Sequence, residues 1–332
     1  MDEPAASSDQ RPATRVLALA ALVFLVVQLG VGLALDRAPL RVRFREADEA
    51  LARVRALGPT PDVLLFGSSR FKALILPDRV EARLRERLGE AAPRVTTVAF
   101  NGGDLVGTDF LFARVLAQGT RPRMALVEVT PEWLRDPVPF LNGQLLRTFT
   151  WRDVAEWLPE LARGTKRTLL CARLFPVYCY RNELLTWTTG RRPPYLVAPT
   201  SPKQAQPRAK HDDPLHGAHR WARRMRDYRV SERALAVLER ILARCRDARI
   251  ECVVVVPPIS SAHRKLLEGR IEGSFQDALA RVQAEHAFAF GDFSDRLADD
   301  GFHDSTHGNR SGGERFSAIV ADEVIEPRWR AR

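Results

Sequence analysis

The sequence predicts an α/β fold: a three-layer α/β/α domain around a parallel sheet, with a helical insertion and one N-terminal transmembrane helix. Three observations carry this. Short apolar runs alternate with stretches of helical periodicity, the pattern of repeated βαβ units. The run Val253 to Val256 is apolar without alternation, as expected of a strand covered on both faces. Near the N-terminus, Val16 to Leu35 are uncharged throughout, matching the roughly 20 residues an α-helix needs to cross a bilayer.

Residues 1–15 are polar and read as a disordered N-terminus, followed by the anchor at 16–35. A cleavable signal peptide has a shorter apolar core, about 7–15 residues, and a clear small-x-small site. Gly32-Leu33-Ala34 matches such a site only weakly, so the segment reads as an uncleaved anchor. Residues 36–58 form a juxtamembrane stretch in which Arg45 to Leu57 is an amphipathic helix, stopped by Pro59 and Pro61. The main domain then spans 59–328. Strands are expected at Val63–Phe66, Val95–Phe100, Met124–Val129, Ile250–Val256 and Phe288–Phe290, with helices at Pro77–Leu88, Asp109–Gln118, Ser231–Asp247, on to about Ala287, and Gly313–Val324. An insertion at about 136–229 breaks this rhythm. Helical pieces are expected in it at 151–163 and 166–174, then a loose segment from Gly190 to Pro214.

Charge is concentrated rather than spread. Of the net +10, the stretch Arg163 to Arg229 alone carries +11, from 15 Lys/Arg against 4 Asp/Glu. This reads either as a solvated arginine-rich surface or as a face turned to an acidic polymer or anionic lipid. Zinc-finger spacing, RNA-binding aromatics and a glycine clamp are all missing, so nucleic acid is not an expected partner. The four cysteines form no Cys-x-x-Cys pair; Cys171 and Cys179 are near enough in sequence to bridge in an oxidising compartment, and Cys252 reads as a buried small hydrophobe. Arg11 and Arg15 precede the anchor, while Arg37, Arg41, Arg43 and Arg45 follow it. A literal count would keep the domain in the cytoplasm, but long domains translocate largely regardless of charge, so composition leaves the side open.

Phe66-Gly67-Ser68-Ser69-Arg70 follows the first strand, at the sheet end where ligands gather. A serine opening a helix there is exposed and its alkoxide is favoured by the helix dipole, although Gly-Ser-Ser also serves as a plain turn. The segment is neither a Walker loop nor a GxSxG elbow. Near the C-terminus stands Phe302-His303-Asp304-Ser305-Thr306-His307-Gly308-Asn309, with Gly312 beyond it. A spacing of three puts Asp304 and His307 on one side of a helical turn, where the carboxylate can orient the imidazole toward a nucleophile from elsewhere. The alternative is that Asp304 only caps a turn. His303, Asp304 and His307 could also be seen as metal ligands, but neither HExxH nor a second ligand cluster accompanies them, so no metal or other cofactor is expected.

Together, GSSR after the first strand and FxDxxHxNxxG before the last helix resemble the blocks of the SGNH/GDSL hydrolase superfamily, over about residues 60–135 and 230–325. The resemblance implies a flavodoxin-like sheet, with Ser69 as nucleophile and Asp304 and His307 completing a triad. It implies an oxyanion site from the Ser69 amide and a glycine of the block Asn101-Gly102-Gly103 to Gly107, Gly107 being preferred over Gly103. Arg70, Asn101 and Arg181 are the expected substrate-binding residues, Arg181 having a structural salt bridge as its alternative. Two departures stand out. Ser68 replaces the first-block Asp, and Glu128-Val129-Thr130-Pro131-Glu132 lacks the third-block Asn donor.

The implied activity is serine-dependent ester hydrolysis or O-acyl transfer, on an acylated cell-envelope glycan or another ester. By the same resemblance the domain is extracytoplasmic and the N-terminus cytoplasmic, with the bilayer and a multispanning membrane acyltransferase as partners. A catalytically silent scaffold or glycan-binding component of a membrane acylation complex is the other class of function that the missing Asn favours. Trp151, Trp157, Trp187 and Trp221 of the insertion are expected to pack in the interior or to offer a sugar-stacking face. Pro257-Pro258 is expected to shape the site's rim.

Overall fold

The computed structural model describes residues 10–331 apart from 39, 139–141, 162, 191–212 and 214. Most of the expected N-terminal tail and the segment 191–212 therefore lie outside the described residues. Five strands, β1 (Val63–Phe66), β2 (Val95–Thr97), β3 (Met124–Glu128), β4 (Glu251–Val256) and β5 (Ala289–Asp292), form one sheet in the order β2-β1-β3-β4-β5. Every neighbouring pair is parallel. The chain moves from β1 to β2 on one side and then crosses to β3 on the other, so the order reverses at β1. In such sheets the crevice for ligands opens beyond the carboxyl ends of the strands flanking the reversal, here β1 and β3.

The central strands β1, β3 and β4 are apolar but for Glu128 and Glu251 at their ends, because both of their faces are covered. Leu64, Phe66, Ala125, Val127, Cys252 and Val254 belong to one core cluster, and Val63, Leu65, Met124, Leu126, Val253 and Val255 to the other. This is the period of two expected of a strand, with neither face left to solvent. The first cluster is closed by α3 (Arg45–Ala56), α6 (Leu105–Ala117), α13 (Glu232–Asp247) and α15 (Arg270–Glu285). The second is closed by α4 (Ser69–Leu74), α5 (Pro77–Leu88) and α16 (Arg310–Ile319), the last continuing through a π-helical stretch at Val320–Ile325 into α17 (Glu326–Arg330).

Boundaries differ from the sequence expectation where polar caps decide them. Helix α6 starts at Leu105 rather than Asp109 because the Asp104 side chain accepts the Gly107 N–H. Helix α16 starts at Arg310 rather than Gly313 because Asn309 Oδ1 accepts from Gly312 N–H at 2.9 Å. The expected strand to Phe100 pairs only to Thr97, yet the Val98 and Phe100 amides still donate to Leu65 and Gly67 carbonyls of the adjoining segment. That continued contact carries Gly102 and Gly103 alongside Ser68. Helical sequence after β4 is two helices, with α14 (Ser261–Leu267) preceding α15.

Helix α1 (Gln10–Arg37) contains a span, Ala13–Arg37, long and apolar enough to cross a membrane, and its side chains from Val16 to Val27 face outward. Its lower end is tied to the rest of the molecule. Asp36 pairs with Arg43 of the short α2 (Leu40–Arg43) at 3.1 Å and with Arg173 at 2.9 Å, and Gln28 Oε1 accepts from Val177 N–H. The insertion contributes α7 (Gly143–Thr148), α8 (Trp151–Trp157), α9 (Arg163–Leu174), α10 (Pro176–Cys179), α11 (Arg181–Thr189) and α12 (Ala218–Met225). Leu145, Phe149, Val154, Trp157 and Leu169 join the same core cluster as the strands, whereas Leu174, Phe175, Tyr178, Leu185 and Trp187 are exposed apolar residues on α9–α11 beside α1. Trp151 is also exposed, so only Trp157 of the four insertion tryptophans is fully buried.

One contact fixes the C-terminal helix against the first. A Cβ at Gly313 of α16 would lie 2.6 Å from the Ala73 carbonyl oxygen of α4, so the helices meet backbone to backbone. Gly313→Val is expected to force them apart and to destabilise the protein by about 1–3 kcal/mol, read as a lowered thermal unfolding midpoint of the detergent-solubilised chain.

Candidate active site

Three segments converge at the carboxyl ends of β1 and β3. The first is the β1–α4 turn. Ser68 is the N-cap of α4, its hydroxyl accepting from Arg70 N–H at 3.0 Å, and this places Ser69 at the first helical position. The Ser69 amide is then one of the helix's unsatisfied N-terminal donors, and no hydrogen bond to it occurs among the described residues. The second segment is Gly102-Gly103. A Cβ on Gly103 would come within 2.6 Å of the Gly67 carbonyl oxygen and 3.0 Å of Ser68 Cα, so only glycine lets this loop lie against the serine turn.

The third segment carries Asp304 and His307. It is not a helical turn, as their spacing suggested, but a loop pinched shut by an antiparallel bridge between Phe302 and Gly308 and by His303 N–H donating to the His307 carbonyl at 2.9 Å. Inside it Asp304 Oδ1 accepts from the amides of Thr306 and His307, both at 2.8 Å. The same carboxylate meets His307 Nδ1 at 2.9 Å through Oδ2. Asp304 therefore caps the turn and orients the imidazole at once. With Nδ1–H directed at Asp304, Nε2 is left as an acceptor, and Ser69 Oγ lies 2.8 Å from it. Burial alone would raise the Asp304 pKa. Its hydrogen bonds and charge interaction with His307, with the two amides, instead hold it well below the usual carboxylate range.

Beneath the serine turn lie two acids that sequence reasoning missed as site residues. Glu128, the last residue of β3, is fully buried; its Oε2 accepts from the Ser68 amide at 2.7 Å, and the Ser68 hydroxyl is 3.0 Å from both its oxygens. A Cβ at Gly67 would lie 2.5 Å from Glu128 Oε2, so glycine is required for the carboxylate to fit there. Burial pushes the Glu128 carboxyl up to about 7, against the opposing pull of Arg70 and the Ser68 bonds. Glu132 Oε1 receives Arg70 Nη2 at 2.6 Å and lies 2.7 Å from His263 Nε2. Burial would raise Glu132 too, but Arg70 and then His263 keep it well below its ordinary value. The one sequence signal for this layer was an acid ending an otherwise apolar strand, Met-Ala-Leu-Val-Glu.

The cleft above Ser69 has a volume of about 180 Å³, and its wall includes Gly102, Gly103, Trp133, His216, Arg220, Trp221 and Arg224. Several expected contributors are placed otherwise. Gly107 is corrected: its amide is committed to Asp104 Oδ1 at 2.8 Å and its Cα packs under the Phe100 ring, away from the cleft wall. Gly103 does line the cleft, with its N–H donating to the Phe100 carbonyl at 3.1 Å. Asn101 is exposed and does not line the cleft; its backbone N–H donates to Glu46 Oε1 and its backbone carbonyl accepts from Asn142 Nδ2. Arg70 lines the cleft, but its guanidinium is turned to Glu132. Arg181 lies outside the site altogether, on α11, where it donates to the Tyr178 carbonyl and stacks 4.5 Å from that ring. Pro257-Pro258, expected at the rim, does not line the cleft.

No family model and no curated protein matches the chain. Among solved structures it is similar to a lipase/acylhydrolase from Enterococcus faecalis, with 11% identity over 80% of this chain and 95% of that one and a TM-score of 0.38. It is also similar to a putative acylhydrolase from Bacteroides fragilis, with 9% identity over 84% and 94% of the two chains and a TM-score of 0.40.

Glu128 gives a pH signature. Its carboxyl holds a proton in the folded state up to about pH 7, while the unfolded chain releases it near 4.5. The folded state binds more protons in that window, so this contribution to stability is complete below about 4.5 and is lost as pH rises through about 7. Relative to Glu128→Gln, the wild-type protein is expected to lose on the order of 3 kcal/mol across this window. Parallel thermal melts of the two proteins from pH 4.5 to 8 measure it.

Proposed function

We propose that the chain is a membrane-anchored serine hydrolase or O-acyltransferase of the SGNH/GDSL type, acting through Ser69, His307 and Asp304. The single observation that carries this is the unbroken relay from Ser69 Oγ to His307 Nε2, 2.8 Å, and from His307 Nδ1 to Asp304, 2.9 Å. These are the partners and distances that general-base activation of a serine requires. His307 takes the Ser69 proton as Oγ attacks an ester carbonyl, and Asp304 stabilises the imidazolium. The tetrahedral intermediate then collapses, with His307 returning the proton to the leaving alcohol and the acyl group left on Ser69. The Ser69 amide at the start of α4 faces the developing oxyanion with the positive end of the helix behind it. Glu128, through Ser68, holds the turn from below and acts as a positioning residue.

Water or a sugar hydroxyl as the second acceptor gives an esterase or a transferase, since both share the acyl-enzyme. The anchor and the acyl chemistry together favour an acylated cell-envelope glycan as substrate, with the domain outside the cytoplasm. Cys171 and Cys179 support that side: their Sγ atoms are 2.7 Å apart, close enough for a disulfide to form with little movement. Their oxidation releases two protons and passes two electrons to a disulfide-bearing exchange partner.

A fluorophosphonate probe is expected to label the wild-type protein, to leave Ser69→Ala unlabelled and to label His307→Ala at least about 10³-fold more slowly. A wild-type protein that never labels would instead favour a silent scaffold. For the location, alkylation under denaturing, non-reducing conditions is expected to find Cys171 and Cys179 blocked in protein taken from the native membrane. Two free thiols there would place the domain on the reducing side.

A further inference from the structure

The cleft wall has a charge imbalance that the triad does not use. Arg220 and Arg224 stand one turn apart on α12, both line the cleft that holds Ser69 and His307, and neither is within ion-pair distance of a carboxylate among the described residues. Asp304 is the single acid in the described wall, and it is occupied by His307. The third arginine of the wall, Arg70, is neutralised by Glu132. The excess positive charge is felt nearby: burial first, and then the charge of Arg224, lower the pKa of Arg135.

The helix that carries the two arginines is also held in place. Met225 of α12 and the neighbouring Tyr228 are buried against Ile259, Leu267 and Ile271. Trp221, between the arginines, sets its ring edge-on to His263 at 6.0 Å, and the Arg224 guanidinium lies 5.2 Å from the Trp221 ring centre. The loop before α12 is joined to the catalytic loop, because Ser305 N–H donates to the His216 carbonyl at 3.0 Å and Asp213 N–H to the His303 carbonyl at 3.2 Å. A guanidinium pair held beside a nucleophile, with an indole between, suits an anionic sugar: the arginines bind the anion through paired N–H donors and the indole packs on the ring.

We infer that Arg220 and Arg224 form an anion subsite beside Ser69, so that the acylated sugar taken up carries a carboxylate or phosphate close to its ester. This rests on the acyl-ester reading of the same site and names the class of substrate for it. The basic insertion thus contributes to recognition at the cleft itself.

The test is binding by titration calorimetry to full-length Ser69→Ala protein in detergent, so that no ligand is consumed. The ligands are an acetylated uronate oligosaccharide, the same oligosaccharide with its carboxylates methyl-esterified, and an acetylated sugar phosphate. The acid form, the phosphate or both are expected to bind at least about tenfold more tightly than the neutral ester, and the one favoured identifies the anion. Adding Arg220→Gln and Arg224→Gln, singly and together, is expected to remove that preference, and the corresponding Lys substitutions to retain most of it. Equal binding of acid, phosphate and neutral ligands overturns the inference, as does a preference that survives both Gln substitutions. Fluorophosphonate labelling of wild-type Ser69 reports separately on the serine chemistry, so a failed anion preference in a protein that labels leaves the hydrolase reading standing.

Discussion

The hydrogen bond between Ser69 and His307 joins residues 238 positions apart, and the site depends on whatever holds those two pieces of chain in register. Close backbone contact does this. Helix α16 lies on α4 through Gly313, the catalytic loop is clamped by Gly308 against Leu74 and by Gly312 against Gly301, and the second loop touches the serine turn through Gly103. A methyl group at Gly103, Gly312 or Gly313 would lie 2.0–2.6 Å from a backbone carbonyl oxygen, so the backbone there would have to move. The placement of Ser69 is therefore set by the absence of side chains around it as much as by the groups it bonds.

Two carboxylates beneath the serine turn show how the fold keeps polar groups in its interior. An uncompensated buried charge costs several kcal/mol, and the two acids meet that cost differently. Glu132 is ionised between Arg70 and His263 and ties α4 to α14. Glu128 has no such cation in direct contact; it retains its proton to about pH 7 and spends its oxygens on the amide and hydroxyl of Ser68. The Ser68-Ser69 turn thus rests on a hydrogen-bonded layer at the end of the central strand β3. In the proposed reaction, a rigid base of this kind preorganises the Ser69 hydroxyl for attack, where a solvated turn would wander.

The insertion joins the two ends of the molecule. Its first helices pack into the main core and against the base of α1, through Asp36, Arg43 and Arg173, while its last helix forms one wall of the cleft. The same basic stretch therefore reaches both α1 and the cleft that holds Ser69.

Much of this was legible from residue order. Unbroken apolar runs such as Val253–Val256 fitted strands covered on both faces, and the charge-free stretch from Val16 to Leu35 had the length of a long apolar helix. Only through their joint resemblance to a known superfamily did the blocks around Ser69 and around Asp304 and His307 point to the groups that meet, since no local spacing relates residues so far apart. The sequence could not say that the Asp304 loop would close through a bridge instead of a helical turn, nor that Gly107 would be consumed by Asp104. Both outcomes turn on hydrogen bonds whose donors have several nearby acceptors. Least legible were Glu128, Glu132, Arg220 and Arg224. Their roles come from elements far apart in the chain, and only the folded packing determines which distant carboxylate a serine turn rests on and which arginines are left facing its cleft.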